Sequence, residues 1–216
     1  MASAKPTVTV VTGDLTMRAG RGQFQLAKAL IEHLPQPRIV VIGNHDIPLL
    51  NLVSRCTAPF HRYRSAITEE LDPMLDVPGV RIQGLGSMPP WRWKSGRVTR
   101  DQSRRVVEVL GDTPPGTLRV LALHHPLWQD GAARLVGHGR LIAALAAARV
   151  DLVLAGHTHV PDARRRVLRG PDGDHPMLEV VAGTATSTRT RGTRRSWTLI
   201  RIDDGSMGVE HRYHDG

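Results

Sequence analysis

The sequence predicts an α/β fold in which mixed sheets pack face to face with helices outside them. Two observations favour this class. Strand-like and helix-like segments alternate up to residue 155, as they do in sheets built from parallel strands and crossover helices. Beyond residue 160 the pattern changes to strand pairs joined by turn sequences, which is typical of antiparallel hairpins. No internal repeat, linker or low-complexity segment interrupts the chain, so we predict a single domain over residues 1–216.

The first 46 residues predict a strand, a helix and a second strand. Residues 7–12 are rich in β-branched side chains, which favours a buried strand. Apolar residues then recur at helical spacing over 22–34, and prolines end the helix. Residues 38–42 form a second apolar run. Both strands lead directly into polar motifs, which are Gly13-Asp14 and Gly43-Asn44-His45-Asp46.

The rest of the chain continues this alternation and then changes to hairpins. Further strands are predicted at 81–86, 119–123 and 151–155, with helices at 99–110 and 139–149. Residues 171–174 and 203–206 are rich in Asp and Gly and predict two hairpin turns. The strands that flank these turns are predicted at 165–168, 178–182, 197–202 and 207–213. The segments without a clear period, 51–67 and 87–96, are predicted to be loops with short helices in the first of them.

Composition favours a globular protein of the cytoplasm. Apolar residues make up 40% of the chain and charged residues 23%, which is typical of globular domains. No apolar run reaches the roughly 18 residues that a membrane-spanning helix needs, and residues 1–6 lack the apolar stretch of a secretory signal. The single cysteine, Cys56, excludes an internal disulfide. A reducing cytoplasm is therefore the predicted location, and we expect no membrane partner.

The formal net charge of +9 comes almost entirely from arginine. One interpretation is a surface for nucleic acid or another polyanion. The other is a set of solvated charges spread over the whole surface, because the arginines are dispersed except at 164–166 and 189–195. We favour the second interpretation, since aromatic residues do not alternate with the charges as they do in proteins that bind single strands.

Metal-ligating side chains follow four of the predicted strands. Asp14 and Asn44 follow the first two strands, His124 follows the strand at 119–123, and His157 and His159 follow the strand at 151–155. The carboxyl ends of neighbouring parallel strands lie at one edge of a sheet, where ligands gather in α/β proteins. Carboxylate, amide oxygen and imidazole together suit divalent ions such as Mn, Fe or Zn. The absence of a thiolate among these residues argues against a structural zinc site.

The motifs at these strand ends resemble those of the calcineurin-like metallophosphoesterases. That family carries Asp-x-His, Gly-Asp, Gly-Asn-His-Asp/Glu, His and Gly-His-x-His in this order. The present chain matches four of the five, at Gly13-Asp14, at residues 43–46, at His124 and at residues 156–159. The resemblance extends from about residue 7 to the end and is strongest to bacterial phosphodiesterases related to the cyclic-nucleotide enzymes. It implies a four-layer αββα sandwich of mixed sheets.

The resemblance also implies a role for each residue. Asp14 would bridge two metals, Asn44, His124 and His157 would complete the second site, and His159 would belong to the first site. His45 would face the phosphate and stabilise its charge or protonate the leaving oxygen. Asp46 would orient His45 through a hydrogen bond. His125, next to His124, would lie behind the ligands or serve in packing. The two metals would hold a bridging hydroxide that attacks phosphorus.

The Asp-x-His motif of the family has no counterpart in this sequence. Twelve residues precede Gly13, and none of them is Asp or His. The chain is therefore predicted to lack the family's first strand and to be truncated at its N-terminus relative to the family. Either the start is placed too far downstream, or the protein has lost its first metal site and holds one metal instead of two. We favour the former because the other motifs are intact.

Two functional hypotheses follow from the resemblance. The first is a metal-dependent phosphodiesterase or phosphatase that acts on a small phosphoester. The second is a catalytically impaired relative that binds a metal or a polyanion without turnover. Nuclease activity is a weaker third hypothesis, suggested only by the basic charge. An in-frame Asp-x-His upstream of Met1 would favour the first hypothesis over the second.

Overall fold

The computed structural model describes residues 4–49, 52–91, 94–131, 134–187, 191–203 and 205–214. Parts of four predicted features lie outside these ranges. They are position 51 and positions 92–93 of the two predicted loops, positions 189–190 of the second arginine cluster and position 204 of the second turn. In chain order the elements are β1 (Thr9–Val11), α1 (Arg21–Glu32), β2 (Arg38–Val40), α2 (Leu52–Thr57), α3 (His61–Ala66), β3 (Met74–Val77), β4 (Val80–Leu85), β5 (Gly96–Arg97), α4 (Arg100–Gly111), β6 (Leu118–Leu123), β7 (Leu135–Val136), α5 (His138–Ala147), β8 (Leu152–Ala155), β9 (Asp162–Gly170), β10 (Gly173–Val181), β11 (Ser196–Asp203) and β12 (Ser206–Tyr213).

The largest sheet has six strands in the order β3-β4-β6-β8-β10-β9. The four inner strands β4, β6, β8 and β10 are parallel to one another, whereas the edge strands β3 and β9 run antiparallel to them. Strands β1 and β2 form a separate parallel pair, and β11 and β12 form an antiparallel hairpin. The two hairpins predicted after residue 160 are present as β9–β10 and β11–β12. The change to antiparallel pairing is not complete, because β10 also pairs parallel with β8, and β3 already pairs antiparallel with β4 before residue 160.

Two apolar clusters cover the two faces of the six-stranded sheet. On one face, α4 and α5 contribute Val106, Leu110, Leu141 and Leu145, which pack against residues such as Leu121. On the other face, Ile39 of β2 and Val41, which directly follows β2, pack with side chains of the β11–β12 hairpin against Ile82, Val120 and Leu152. Burial of these apolar side chains is the main force that holds the sheets together.

The fourth layer is formed by α1 and α3 outside the β1–β2 pair. Phe24 of α1 and Tyr63 of α3 meet edge to face, with ring centroids 6.4 Å apart, and both pack with Ile42 and Ile47. The hydroxyl of Tyr63 donates a hydrogen bond to the carbonyl oxygen of Val40, which ties α3 to the strand beneath it. The layers are therefore helix, sheet, sheet and helix, and the predicted αββα sandwich is confirmed.

Several elements differ in extent from the prediction. Strand β3 was not predicted. It was missed because its alternation of exposed and half-buried residues spans only four positions. Strands β9 and β10 are nine residues each and longer than predicted. The arginines of β9 interrupt the apolar pattern on which the prediction relied, and β9 tolerates them because it is an edge strand whose charged side chains reach solvent. No helix among the described residues has the length and apolar character needed to cross a bilayer.

The topology places the predicted site between the two sheets. Strands β1 and β2 end beside one another in one sheet, and β6 and β8 end beside one another in the other. The segments that leave these four strands carry Asp14, Asn44, His124 and His157. The carboxyl ends of two facing parallel arrays thus meet at one rim of the sandwich, where α/β folds gather ligand-binding residues.

Candidate metal centre

Four side chains from the four strand ends meet in one cluster. His124 Nε2 lies 3.0 Å from Asn44 Oδ1, 3.1 Å from His157 Nδ1 and 3.4 Å from Asp14 Oδ1. His157 Nδ1 lies 3.1 Å from Asn44 Oδ1. The structure therefore brings together four of the five predicted metal ligands, which we call the four-atom cluster.

The close approach of two loops explains the glycines that precede these ligands. Gly13 has a φ of +88°, and a Cβ there would lie 2.7 Å from the backbone nitrogen of Gly43 and 2.9 Å from His124 Nδ1. A Cβ on Gly43 would overlap the backbone nitrogen and Oδ1 of Asp14. The Gly-Asp and Gly-Asn pairs in the sequence are thus required because the loops after β1 and β2 touch backbone to backbone.

A hydrogen bond outside the cluster fixes the orientation of the His124 ring, so that a lone pair on Nε2 points into the cluster. His124 Nδ1 lies 2.7 Å from the carbonyl oxygen of Thr12 and must donate to it, because a carbonyl oxygen only accepts. When the ring is neutral, Nε2 of His124 therefore presents a lone pair to the cluster. The side-chain oxygens of Asp14 and Asn44 are also acceptors, so at least three of the four atoms present lone pairs to the same small space.

A divalent cation satisfies this arrangement better than any hydrogen-bond pattern among the four side chains. Only His157 Nδ1 can carry a hydrogen into the cluster when both rings are neutral, and one hydrogen cannot serve three acceptors. No group of three or more His, Cys, Asp or Glu side chains among the described residues forms a complete metal-binding set. The fit of a cation thus depends on the contacts of the four-atom cluster, including the amide oxygen of Asn44.

Three of the predicted ligands have a left-handed backbone. The φ angles are +56° at Asp14, +70° at His157 and +64° at His159. Residues other than glycine rarely adopt this region, and Asp, Asn and His are the types that do so most readily. Positive φ at ligating positions is the kind of local strain that concentrates at functional sites.

The charge state of the cluster suits a cation. Burial alone would raise the pKa of the Asp14 carboxyl, but His124 and the backbone N–H of His45, which donates to Asp14 Oδ1 over 3.0 Å, hold that pKa below its ordinary value. Burial and the neighbouring His124 lower the pKa of His157 to about 3. Burial likewise holds the pKa of His125 well below its usual range. The cluster therefore offers a carboxylate with an uncharged His157 at neutral pH.

The structure corrects the predicted role of Asp46. Its two carboxylate oxygens accept hydrogen bonds from the backbone N–H groups of Thr16 and Gly43, each over 2.9 Å. The ring of His45 is held instead by its Nδ1, which donates to the carbonyl oxygen of Met17 over 2.9 Å. Asp46 is therefore bonded to the two ligand-bearing loops and not to His45, because its fully buried carboxyl lies nearer to their N–H groups.

The fully buried position of Asp46 has an electrostatic consequence. Burial, together with the charge of Asp14, raises the pKa of Asp46 to about 7, although its backbone hydrogen bonds act in the opposite direction. The charge of Asp46 is thus sensitive to the charge of the cluster beside it.

His159 lies beside the four-atom cluster and not within its contacts. Its Nδ1 is 2.7 Å from the hydroxyl of Thr184, and its carbonyl oxygen accepts a hydrogen bond from Thr193 over 3.2 Å. The pKa of His159 is lowered mainly by burial, while the charge of Asp14 acts to raise it. Asp14 is thus electrostatically coupled to His159 as well as to the cluster.

Two supporting residues escaped sequence reasoning. Thr184, in the Gly-Thr-Ala-Thr segment after β10, holds His159, and Glu179 of β10 accepts the backbone N–H of Leu127 over 2.8 Å. Glu179 thereby anchors the loop that follows His124. Its place within the apolar run of residues 177–181 is the signal that the sequence offers, because its partner is 52 residues away.

Known proteins resemble this chain in sequence. The sequence model described as calcineurin-like phosphoesterase matches residues 2–161. A Synechococcus protein named "Probable cyclic nucleotide phosphodiesterase" is 30% identical over 162 residues, which cover 71% of this chain and 58% of the relative. A Rhodococcus erythropolis protein of the same name is 30% identical over 171 residues, which cover 72% of this chain and 52% of the relative. The chain thus spans little more than half the length of these relatives.

A solved structure with the same fold extends the comparison. Purple acid phosphatase PPD1 from yellow lupin seeds aligns with a TM-score of 0.65 at 15% identity, covering 95% of this chain and 44% of that structure. At this identity the likeness shows the fold alone, whereas the family match covers most of the present chain. The predicted resemblance is confirmed, and the chain belongs to the calcineurin-like phosphoesterase family.

Proposed function

We propose that this protein hydrolyses a phosphoester bond with the help of a divalent cation, and that small phosphodiesters, cyclic nucleotides among them, are its preferred substrates. The four-atom cluster is the observation that carries the proposal. The names of the two relatives support the choice of a diester over a monoester.

The four-atom cluster would hold the cation through Asp14, Asn44, His124 and His157. This mixture of oxygen and imidazole donors suits Mn, Fe or Zn. A cation bound there supplies positive charge that stabilises the phosphate in the transition state and makes bound water more acidic. The chain itself contributes the fixed orientation of each donor, since Thr12 holds His124 and the His45 N–H holds Asp14.

His45 is the residue that we expect to handle the proton of the leaving group. In hydrolysis, water oxygen bonds to phosphorus, the ester P–O bond breaks, and the leaving oxygen takes up a proton. Nδ1 of His45 is committed to the carbonyl oxygen of Met17, so Nε2 is the atom that would exchange this proton with the substrate. The backbone N–H of His45 also bonds Asp14, which fixes the imidazole beside the cluster.

We infer one well-formed cation site in the described residues. Among the described residues, His159 and the shared Asp14 are the donors that would remain for a second cation. We therefore expect the first cation added to this 216-residue chain to bind at the four-atom cluster. A protein that binds the cation without turnover is the second candidate function, and the same experiment separates the two.

The proposal is tested by titrating metal-free protein with Mn²⁺ while hydrolysis of bis(p-nitrophenyl) phosphate and of 3′,5′-cyclic AMP is followed. The key variant is Asp14→Asn, which keeps the side-chain shape and removes the charge. Loss of a residue that only hydrogen-bonds to a metal ligand lowers metal affinity roughly 10–100-fold. Because Asp14 would be a ligand itself, we expect Asp14→Asn to lower the affinity for Mn²⁺ by more than this. Asp76→Asn is the matched control, because Asp76 is half-exposed and pairs with Arg81 at the far edge of the sheet.

Three outcomes are distinguishable. Mn²⁺-dependent hydrolysis that Asp14→Asn abolishes and Asp76→Asn leaves intact supports the enzyme. Binding of Mn²⁺ without hydrolysis of either substrate supports the non-catalytic candidate. Equal behaviour of both variants, or no binding of Mn²⁺ by the parent protein, contradicts a metal centre at these residues.

A further inference from the structure

His125 is a buried histidine whose two ring nitrogens and backbone N–H all have hydrogen-bond partners. Its ring has no exposed surface. Ser87 Oγ lies 2.8 Å from His125 Nδ1, and His125 Nε2 lies 2.9 Å from the carbonyl oxygen of Lys94. Because a carbonyl oxygen only accepts, Nε2 carries the hydrogen and Nδ1 accepts from the Ser87 hydroxyl.

The Ser87 hydroxyl serves His125 twice. The same oxygen that donates to the ring accepts the backbone N–H of His125 over 3.4 Å. The two residues thus form a closed pair that fixes both the ring plane and the tautomer. Ser87 and Lys94 thus hold the ring at its two nitrogens, Ser87 at Nδ1 and Lys94 at Nε2.

The ring clamped in this way touches two residues of the four-atom cluster. Its centroid lies 4.6 Å from that of His157, with the planes inclined by 40°, and 5.0 Å from that of His124. Gly96 closes the remaining side, where a Cβ would lie 2.6 Å from His125 Nδ1. The His125 ring therefore lies between Ser87, Lys94 and Gly96 on one side and the imidazole of His157 on the other.

We propose that His125 is a positioning residue that holds the His157 imidazole in its ligating orientation, so that Ser87 and Lys94 influence metal affinity through His125 without supplying a ligand. The inference rests on the proposed metal centre. The Nδ1 of His157 contacts Asn44 and His124 within the cluster, whereas the His125 ring supports the imidazole from outside the cluster. Outer residues that orient a ligating histidine change metal affinity by roughly 10–100-fold when they are lost.

A core histidine with a purely structural role would have different consequences. His175 provides that comparison, because it is also buried and its Nε2 pairs with Asp151 Oδ1 over 3.1 Å. It lies near the start of β10, at the opposite end of the strand from the rim that carries the cluster. His175→Gln is thus the matched control for His125→Gln.

The experiment measures Mn²⁺ affinity and the unfolding of metal-free protein for four proteins: the parent, Ser87→Ala, His125→Gln and His175→Gln. We expect the dissociation constant for Mn²⁺ to rise roughly 10–100-fold in Ser87→Ala and His125→Gln. In His175→Gln it should change less than about two-fold, even if this variant loses as much metal-free stability as the other two. Ser87→Ala is the mildest change and keeps the test valid if His125→Gln does not fold. Equal Mn²⁺ affinity in Ser87→Ala and the parent, or equal weakening in His175→Gln, would overturn the proposal.

A second readout separates this proposal from the proposed function. The ring resonances of His157 in metal-free protein, observed by long-range ¹H–¹⁵N correlation, report the orientation of the imidazole without any cation. We expect Ser87→Ala to shift or broaden them, while His175→Gln leaves them in place. Unmoved His157 resonances in Ser87→Ala contradict the positioning role, whatever the protein does with Mn²⁺ or phosphoesters. If Ser87→Ala shifts the His157 resonances but the parent protein binds no Mn²⁺, the positioning of His157 by His125 is supported and the metal centre is contradicted.

Discussion

Replacing Gly13 by alanine is expected to damage the fold and the metal centre together. The residue lies at the turn that leads from β1 into Asp14, with a φ of +88°. A Cβ at this position would lie 2.7 Å and 2.8 Å from the nitrogen and Cα of Gly43 and 2.9 Å from His124 Nδ1. Two of these three atoms are backbone, so the strain cannot be relieved by the rotation of a side chain.

The cost has two parts of different origin. A left-handed backbone costs an alanine roughly 1–2 kcal/mol relative to glycine. Forcing a methyl group against closely packed atoms adds about 1–3 kcal/mol. We therefore expect Gly13→Ala to lower the free energy of unfolding by roughly 2–5 kcal/mol, and to weaken Mn²⁺ binding because the clash reaches the ring that ligates it.

Gly116→Ala separates the two parts. Gly116 has a φ of +78° in the turn before β6, and a Cβ there would meet no atom within 4 Å. This variant should lose only the backbone term of roughly 1–2 kcal/mol and bind Mn²⁺ as the parent does. Urea unfolding of metal-free protein measures the stabilities, and a titration with Mn²⁺ measures the affinities. A Gly13→Ala protein as stable as Gly116→Ala, with unchanged Mn²⁺ affinity, would refute the close contact between the loops after β1 and β2.

Two further predictions concern stability. Thr99→Ala should lower the free energy of unfolding by about 1 kcal/mol, because Thr99 Oγ1 accepts the backbone N–H of Gln102 at the start of α4. If urea unfolding shows that the free energy of unfolding falls by less than about 0.3 kcal/mol, this cap is contradicted. Burial raises the pKa of Glu179 above its ordinary 4.5, so its contribution to stability is present at low pH and is lost as the pH rises through the folded-state value. Glu179→Gln should remove this decline, and its free energy of unfolding should gain on the parent's as the pH rises above about 4.5. A constant difference across that range would exclude the ionisation of Glu179 as the cause.

The sequence was sufficient to predict which residues meet. Asp14, Asn44, His124 and His157 each follow a short apolar strand, and parallel strands bring their carboxyl ends to a common rim. This inference needs only local patterns and one rule of topology. The family resemblance added the second sheet and the helix layers, which the comparisons bear out.

The supporting contacts were beyond reach for a physical reason. The hydrogen bond between Ser87 and His125 joins residues 38 apart, and that between Leu127 and Glu179 joins residues 52 apart. No local period encodes such pairs, since they depend on where loops meet after the sheets have formed. The role of Asp46 was wrong for a related reason, because adjacency in sequence to His45 does not determine which N–H group a buried carboxyl reaches.

The left-handed backbone at Asp14, His157 and His159 restricts how this centre can change. A substitution at these positions must satisfy the chemistry of the site and also tolerate positive φ, and only Asp, Asn, His and Gly do so at low cost. Exchange of Asp14 for Glu, which would keep the carboxylate, also brings a side chain poorly suited to that backbone, whereas Asn keeps the conformation and gives up the charge. Libraries that vary the ligands, in the laboratory or over evolution, are thus confined to a few residue types. We expect adaptation to a new metal or substrate to proceed through surrounding residues such as Ser87 and Thr184.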